Sequence, residues 1–203
     1  MSSVNEWIAR EYFEMLGYLV SQPCKYVSTS RLKKKVEEEL DLLILQPQVA
    51  GHDVPGHMIW TTPDLKGVGR AVVGVRGWHM DRIYAGTLTQ TPEFTRFAER
   101  AARHAAALRL GSENVAAILC LPDLPASGEL KEKTLEALKE KGIDGVLSFH
   151  TMLQELVARV DVSRNYEKSD LLQILRIFKR YGFIRNPQLD LFERQTRRKT
   201  ARP

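Results

Sequence analysis

The sequence predicts an α/β protein in which a central mixed β-sheet is flanked by helices. In the second half of the chain, short apolar runs alternate with amphipathic segments, as in a parallel α/β layer. In the first half, two or three strand-like runs follow one helix, and a long connection joins them, which is typical of an antiparallel meander. The 203 residues are 43% hydrophobic and 27% charged, as in an ordinary folded protein.

The first half of the chain begins with a predicted helix over residues 4–17. Its apolar side chains recur every three or four residues, and Gly17 is a plausible end. Strands are predicted at 18–20, 25–27, 40–45 and 71–75. Residues 46–69 are rich in Gly, Pro and His and predict a long loop or hairpin insertion.

The second half contains a strong helix start at residues 91–93, Thr-Pro-Glu. This segment offers a capping hydroxyl, a proline at the first helical position and an acid near the positive helix end. It therefore predicts a helix over 92–110, which ends at Gly111. Further strands are predicted at 115–121 and 145–149. Further helices are predicted at 130–141, 151–160 and 170–181.

The net charge of +5 is concentrated at the carboxyl end of the chain. Residues 193–203 carry +4, which leaves +1 for the other 192 residues. We therefore predict one domain over 1–192 and a basic, disordered tail over 193–203. Such a tail either binds phosphate backbones without sequence preference or serves solubility. The candidate nucleic-acid contacts in the tail are Arg194, Arg197, Arg198 and Lys199.

Several classes of protein are excluded by what the sequence lacks. Cys24 and Cys120 are the only cysteines and do not make a disulfide scaffold. No apolar run approaches the roughly 20 residues of a membrane helix, and the amino terminus lacks the layout of a signal peptide. We expect a cytoplasmic protein without a membrane partner. The phosphate-binding loop, the G-x-S-x-G elbow, H-E-x-x-H and paired C-x-x-C motifs are all absent.

Asp41 is the one charge within the apolar run LDLLIL, residues 40–45. A buried, charged and unpaired carboxylate costs several kcal/mol, so Asp41 needs a partner, a hydrogen bond or a cation. If the strands at 40–45 and 71–77 are neighbours, Arg76 lies within reach of Asp41. The pair is then either a structural ion pair or the remnant of a metal-dependent nuclease site.

The order of these elements resembles the PD-(D/E)XK, or restriction-endonuclease-like, superfamily over about residues 4–160. Glu6 lies in the first helix, Asp41 lies in the acidic strand ELDLLIL, and a later strand ends VVGVRGWH. Family members commonly show an acid, any residue and then a lysine at the end of that later strand. The resemblance implies a three-layer fold with a mixed central sheet.

The same resemblance implies roles for individual residues. Asp41 matches the first acid and Glu6 the helix acid, while Arg76 falls on the lysine position and Gly74 on the second acid. In the family the acids bind Mg²⁺ and the lysine positions the attacking water. Here the second acid is missing, and Glu39, two residues before Asp41, is the remaining candidate to share an ion. Restoring the motif would require Gly74→Glu with Arg76→Lys.

The predicted function is a nuclease-like domain that has lost catalysis and binds DNA or RNA. One alternative is an active Mg²⁺-dependent endonuclease that uses Asp41 with Glu39 or Glu6. A second alternative is a protein-interaction module on the same fold. Trp78 is either a core or rim aromatic or a platform on which bases stack. The sequence leaves the oligomeric state and the choice between DNA and RNA open.

Overall fold

The computed structural model describes residues 4–23, 40–77 and 83–184. These residues fall into two compact units, one within 1–153 and the other within 154–203. The predicted strand at 25–27 and the predicted tail at 193–203 lie outside the described residues. The extent of the predicted domain, 1–192, stays a prediction.

The first unit contains a five-stranded mixed sheet. Its strands are β1 Leu19–Ser21, β2 Leu42–Leu45, β3 Arg70–Val75, β4 Ala116–Leu121 and β5 Gly145–Ser148. They lie in chain order across the sheet. β2 is antiparallel to both β1 and β3, whereas β4 and β5 continue parallel to β3. The predicted meander, the parallel second half and the adjacency of the strands that carry Asp41 and Arg76 are therefore confirmed.

Helices flank this sheet, which confirms the predicted α/β class. Over the described ranges, the α-helices are α1 Val4–Met15, α2 Ala85–Gln90, α3 Arg100–Leu110, α4 Gly128–Glu140, α5 Phe149–Arg159 and α6 Asp170–Arg180. α1 packs against β1, β2 and β3, and α3 packs against β2 and β3. The core beneath α3 joins Leu43, Val72 and Leu119 of the strands to Phe97 and Ala106.

The predicted helix over 92–110 is wrong in its first two turns. Residues Pro92–Phe94 and Arg96–Ala98 form two short 3₁₀ turns, and α3 begins only at Arg100. Thr91 makes no capping hydrogen bond through its side chain. The carbonyl of Glu93, which an α-helix would pair with the amide four residues on, accepts a hydrogen bond from Arg76 instead. The short helix α2 was not predicted.

The predicted insertion at 46–69 is a loop that reaches the far edge of the sheet. Ile59 forms a parallel bridge with Val146 of β5, and the Trp60 amide donates to the Val146 carbonyl at 2.8 Å. A 3₁₀ helix, Thr62–Gly67, then leads back towards β3. The Tyr18 hydroxyl lies 2.7 Å from the Leu65 carbonyl, and burial raises the pKa of Tyr18 to about 12. The loop is therefore tied to the sheet at both edges.

The second unit contains α6 and the end of α5. The Ser169 side chain accepts a hydrogen bond from the Leu172 amide and caps α6. The Lys179 ammonium donates to the carbonyls of Val157 and Val160, at 2.8 and 2.7 Å, and so satisfies backbone acceptors at the end of α5. Across both units, no helix in the described ranges is long and apolar enough to cross a membrane.

Candidate functional site

Asp41 and Arg76 meet at one end of the sheet. Asp41 immediately precedes β2, and Arg76 immediately follows β3. Because these strands are antiparallel, the start of β2 lies beside the end of β3. The Arg76 guanidinium donates from Nη1 to Oδ2 of Asp41, which confirms the predicted ion pair.

The pair is held by backbone groups on both sides. Oδ2 of Asp41 also accepts a hydrogen bond from the Val75 amide at 2.8 Å. The guanidinium donates to the Val75 carbonyl at 2.9 Å and to the Glu93 carbonyl at 3.0 Å. The side chains of Asp41 and Arg76 are only 21% and 16% exposed. Each charge thus has its counter-charge and further hydrogen bonds in a largely buried position.

The place of the missing second acid is filled by Phe97. The β2–β3 register sets Leu42 opposite Val73, so it places Asp41 opposite Gly74, on the same face of the sheet. A Cβ atom at Gly74 would lie 2.2 Å from Cε1 of Phe97. Glycine is required there because the ring needs the space, and a carboxylate side chain would collide with it. The pair Gly74→Glu and Arg76→Lys therefore does not simply restore the family motif.

Phe97 also contacts the cation of the pair. The guanidinium carbon of Arg76 lies 5.6 Å from the centroid of the Phe97 ring, within the range of a cation–π interaction. One aromatic ring therefore covers both the glycine and the arginine. This role of Phe97 was not predicted from the sequence, although a lone glycine in a buried strand is a known signal of close approach.

Glu6 lies near this end of the sheet but bonds to another residue. It sits in the first turn of α1, where its Oε2 accepts a hydrogen bond from Gln22 Nε2 at 2.7 Å. The neighbouring Asn5 donates from Nδ2 to the Gly77 carbonyl at 3.4 Å. The amino end of α1 is thus brought to the residues that follow β3.

The described residues around Asp41 do not fit a Mg²⁺ ion. Mg²⁺ needs several oxygen ligands in near-octahedral geometry, commonly from one or two carboxylates and water. Asp41 is already paired with a cation, and Gly74 offers no side chain. Within 4–23, 40–77 and 83–184, no three His, Cys, Asp or Glu side chains stand together in a way that could hold a metal ion.

The Cys120 thiol of β4 is not available for chemistry. The backbone amide of Arg76 donates to the Cys120 carbonyl at 2.9 Å, which joins β4 to the site. The Cys120 side chain is fully buried. Burial raises the pKa of the Cys120 thiol and the Asp41 carboxylate raises it further, while Arg76 opposes this. Because the thiolate is the reactive form, Cys120 is a core residue.

The remaining candidate residues lie outside the described part of the chain. They are Glu39, Trp78, Arg194, Arg197, Arg198 and Lys199. Their roles in metal or nucleic-acid binding stay predictions.

Comparisons of the chain with protein-family models, with curated proteins and with solved structures find no match. The resemblance to the PD-(D/E)XK superfamily therefore rests on its quoted residues and on the order of the elements.

The ion pair can be tested by its contribution to stability. We expect Arg76→Met to lower the free energy of unfolding by about 2–3 kcal/mol, because it leaves the largely buried Asp41 carboxylate without a counter-charge. In a double-mutant cycle by urea denaturation, Asp41→Asn and Arg76→Met should couple by about 1–3 kcal/mol.

Arg10→Met is the matched control for this cycle. It breaks a pair with Glu14 in which the two side chains are 50% and 37% exposed. We expect that exposed pair to contribute less than about 0.5 kcal/mol. If Arg76→Met were no more destabilising than Arg10→Met, the Asp41–Arg76 pair would not stabilise the fold more than an exposed ion pair does.

Proposed function

We propose that this chain is a restriction-endonuclease-like domain that has lost phosphodiester cleavage and retains nucleic-acid binding. The observation that carries this proposal is the Asp41–Arg76 ion pair beneath Phe97. Asp41 stands at the first-acid position of the family motif and Arg76 at the lysine position, while Gly74, beneath the same ring, stands at the second-acid position.

The fold supports the family part of the proposal. The strands of Asp41 and Arg76 are neighbours in one mixed sheet, as the resemblance requires. The helix that bears Glu6 packs against the same strands. The following helix, strand and helix, α3, β4 and α4, occur in the expected order.

The chemistry of the site supports the loss of cleavage. Arginine stays protonated at neutral pH and cannot act as a base, although it can bind a phosphate or neutralise a carboxylate. Here it neutralises Asp41. Hydrolysis through a metal ion would need at least one further carboxylate beside Asp41. Gly74 cannot be that residue, because Phe97 fills the space.

The charge distribution supports the binding of a polyanion. Residues 193–203 carry +4, while the rest of the chain carries only +1. Cations that neutralise phosphates release counter-ions, so such binding is independent of sequence and weakens with salt. The tail then supplies the affinity for nucleic acid, whereas the Asp41–Arg76 pair has a structural role and connects β2 to β3.

We expect the wild-type protein to show no Mg²⁺- or Mn²⁺-dependent cleavage of supercoiled plasmid, single-stranded DNA or RNA. Gel electrophoresis should give the same products for the wild type and for Asp41→Ala. Glu132→Ala removes an exposed carboxylate on α4 and serves as the control. Metal-dependent cleavage that Asp41→Ala abolishes and Glu132→Ala preserves would overturn the loss of catalysis and establish an active endonuclease.

Deletion of residues 193–203 tests the binding part of the proposal. We expect fluorescence anisotropy to show weaker binding to every oligonucleotide sequence alike. The slope of log affinity against log salt should fall by up to about 0.9 for each lost phosphate contact. A full-length variant with glutamine at Arg194, Arg197, Arg198, Lys199 and Arg202 should behave like the truncation. Unchanged affinity in both would assign the tail to solubility.

A further inference from the structure

A group of large apolar side chains is exposed on one side of α6 and just beyond its end. The group begins with Ile174 and Ile177, which are 44% and 40% exposed. It continues with three aromatic residues, Phe178, Tyr181 and Phe183, which we call the aromatic patch. Their exposed fractions are 43%, 71% and 79%. Such a contiguous surface is typical of a binding site.

The aromatic patch is not part of the core that holds α6 in place. Leu172 and Leu175 form the buried side of the helix. At about 100° per residue, Tyr181 lies opposite Leu172, whereas Phe178 is about 60° from Leu175 and borders the buried side. Lys179 anchors the helix through the carbonyls of Val157 and Val160. The helix is therefore held by one side, while the patch is exposed on another.

The end of α6 gives the patch a defined geometry. Gly182 has a φ of +75°, a conformation that side chains with a Cβ rarely adopt. The chain turns back there, and the Phe183 amide donates to the Phe178 carbonyl at 2.9 Å. The rings of Phe178 and Phe183 meet edge to face, with their centroids 6.2 Å apart. Tyr181 stands beside this turn and is largely exposed.

The patch lies in the strongly cationic part of the chain. Residues 171–203 carry a net charge of +7, whereas residues 1–170 carry −2. Arg180, which is exposed, lies between Phe178 and Tyr181 in the sequence. Exposed aromatic rings among arginines are the combination that binds single-stranded nucleic acid, because bases stack on the rings while cations contact the phosphates.

We propose that the aromatic patch is a stacking platform for the bases of a single-stranded nucleic acid, whose phosphates are contacted by the exposed Arg180. This inference rests on the nucleic-acid binding of the proposed function and locates it away from Asp41. A single strand fits better than a duplex, because its bases can leave their neighbours and stack on protein rings. A second copy of the chain fits less well, because residues 171–184 carry three basic residues and no acid, and two such segments would repel each other.

The test measures the binding of fluorescein-labelled oligouridylate by anisotropy at several salt concentrations. Tyr181→Ala should weaken binding about fivefold or more, and Tyr181→Ala with Phe183→Ala should weaken it further, because each change removes a stacking surface. Tyr181→Trp should keep the wild-type affinity. Leu108→Ala is the matched control, since Leu108 is an equally exposed apolar residue on α3, at 70%.

The salt dependence separates stacking from charge. Tyr181→Ala should leave the slope of log affinity against log salt unchanged, whereas Arg180→Gln should lower it by up to about 0.7. Because Tyr181 is exposed, both variants should keep the wild-type melting temperature. Tyr181→Ala should reduce the affinity for a duplex of the same length less than it reduces the affinity for the single strand.

Two negative outcomes are distinguishable. If the wild type binds oligouridylate and both aromatic variants bind equally well, the inference is wrong while the proposed nucleic-acid binding stands. If the wild type binds no oligonucleotide, the binding part of the proposed function is wrong, and the inference falls with it. In this second case, vesicles of phosphatidylserine and self-association are tested as well. If the wild type binds such vesicles or self-associates, and Tyr181→Ala abolishes this, the patch has a different partner.

Discussion

The ion pair between Asp41 and Arg76 is the interaction on which the rest of this site depends. It joins the start of β2 to the end of β3 where the two strands are no longer paired as a ladder. Through the Glu93 carbonyl, Arg76 also holds the 3₁₀ turns that place Phe97 over the sheet. One guanidinium thus links two strands and the connection that covers them.

This arrangement explains why Asp41, Arg76, Phe97 and Gly74 occur together. An aspartate in an apolar run needs a cation, and Arg76 provides one that cannot lose its charge at neutral pH. Phe97 packs over the arginine and needs a glycine beneath it, which Gly74 supplies. The same contacts exclude a carboxylate at position 74 and commit Asp41 to a cation. The contacts that stabilise this end of the sheet are thus the ones on which the proposed loss of catalysis rests.

Local patterns were enough to predict most of the sheet and the ion pair, but not the contacts that connect distant segments. The apolar runs at β2, β3 and β4 are short and nearly continuous, as in strands buried on both faces, and a lone aspartate among them requires a partner. Phe97 was expected on a regular helix, because the capture of the Glu93 carbonyl by Arg76 depends on tertiary structure. Likewise, the spacing of apolar residues in α6 predicts an apolar face but does not predict which of these residues are buried. The structure shows that Leu172 is buried and Tyr181 is exposed.

The molecule thus has two distinct features: the Asp41–Arg76 ion pair, which has a structural role in the sheet, and the cationic, aromatic surface at the end of α6. The central claim is that Asp41 holds Arg76 instead of a metal ion. The most direct test is the melting temperature of the wild type and of Asp41→Asn across a titration with Mn²⁺. A specifically bound ion, at a free concentration 100 times its dissociation constant, would stabilise the fold by about 2.7 kcal/mol. The account predicts no rise in melting temperature that depends on Asp41, and a rise in the wild type that Asp41→Asn abolishes would contradict it.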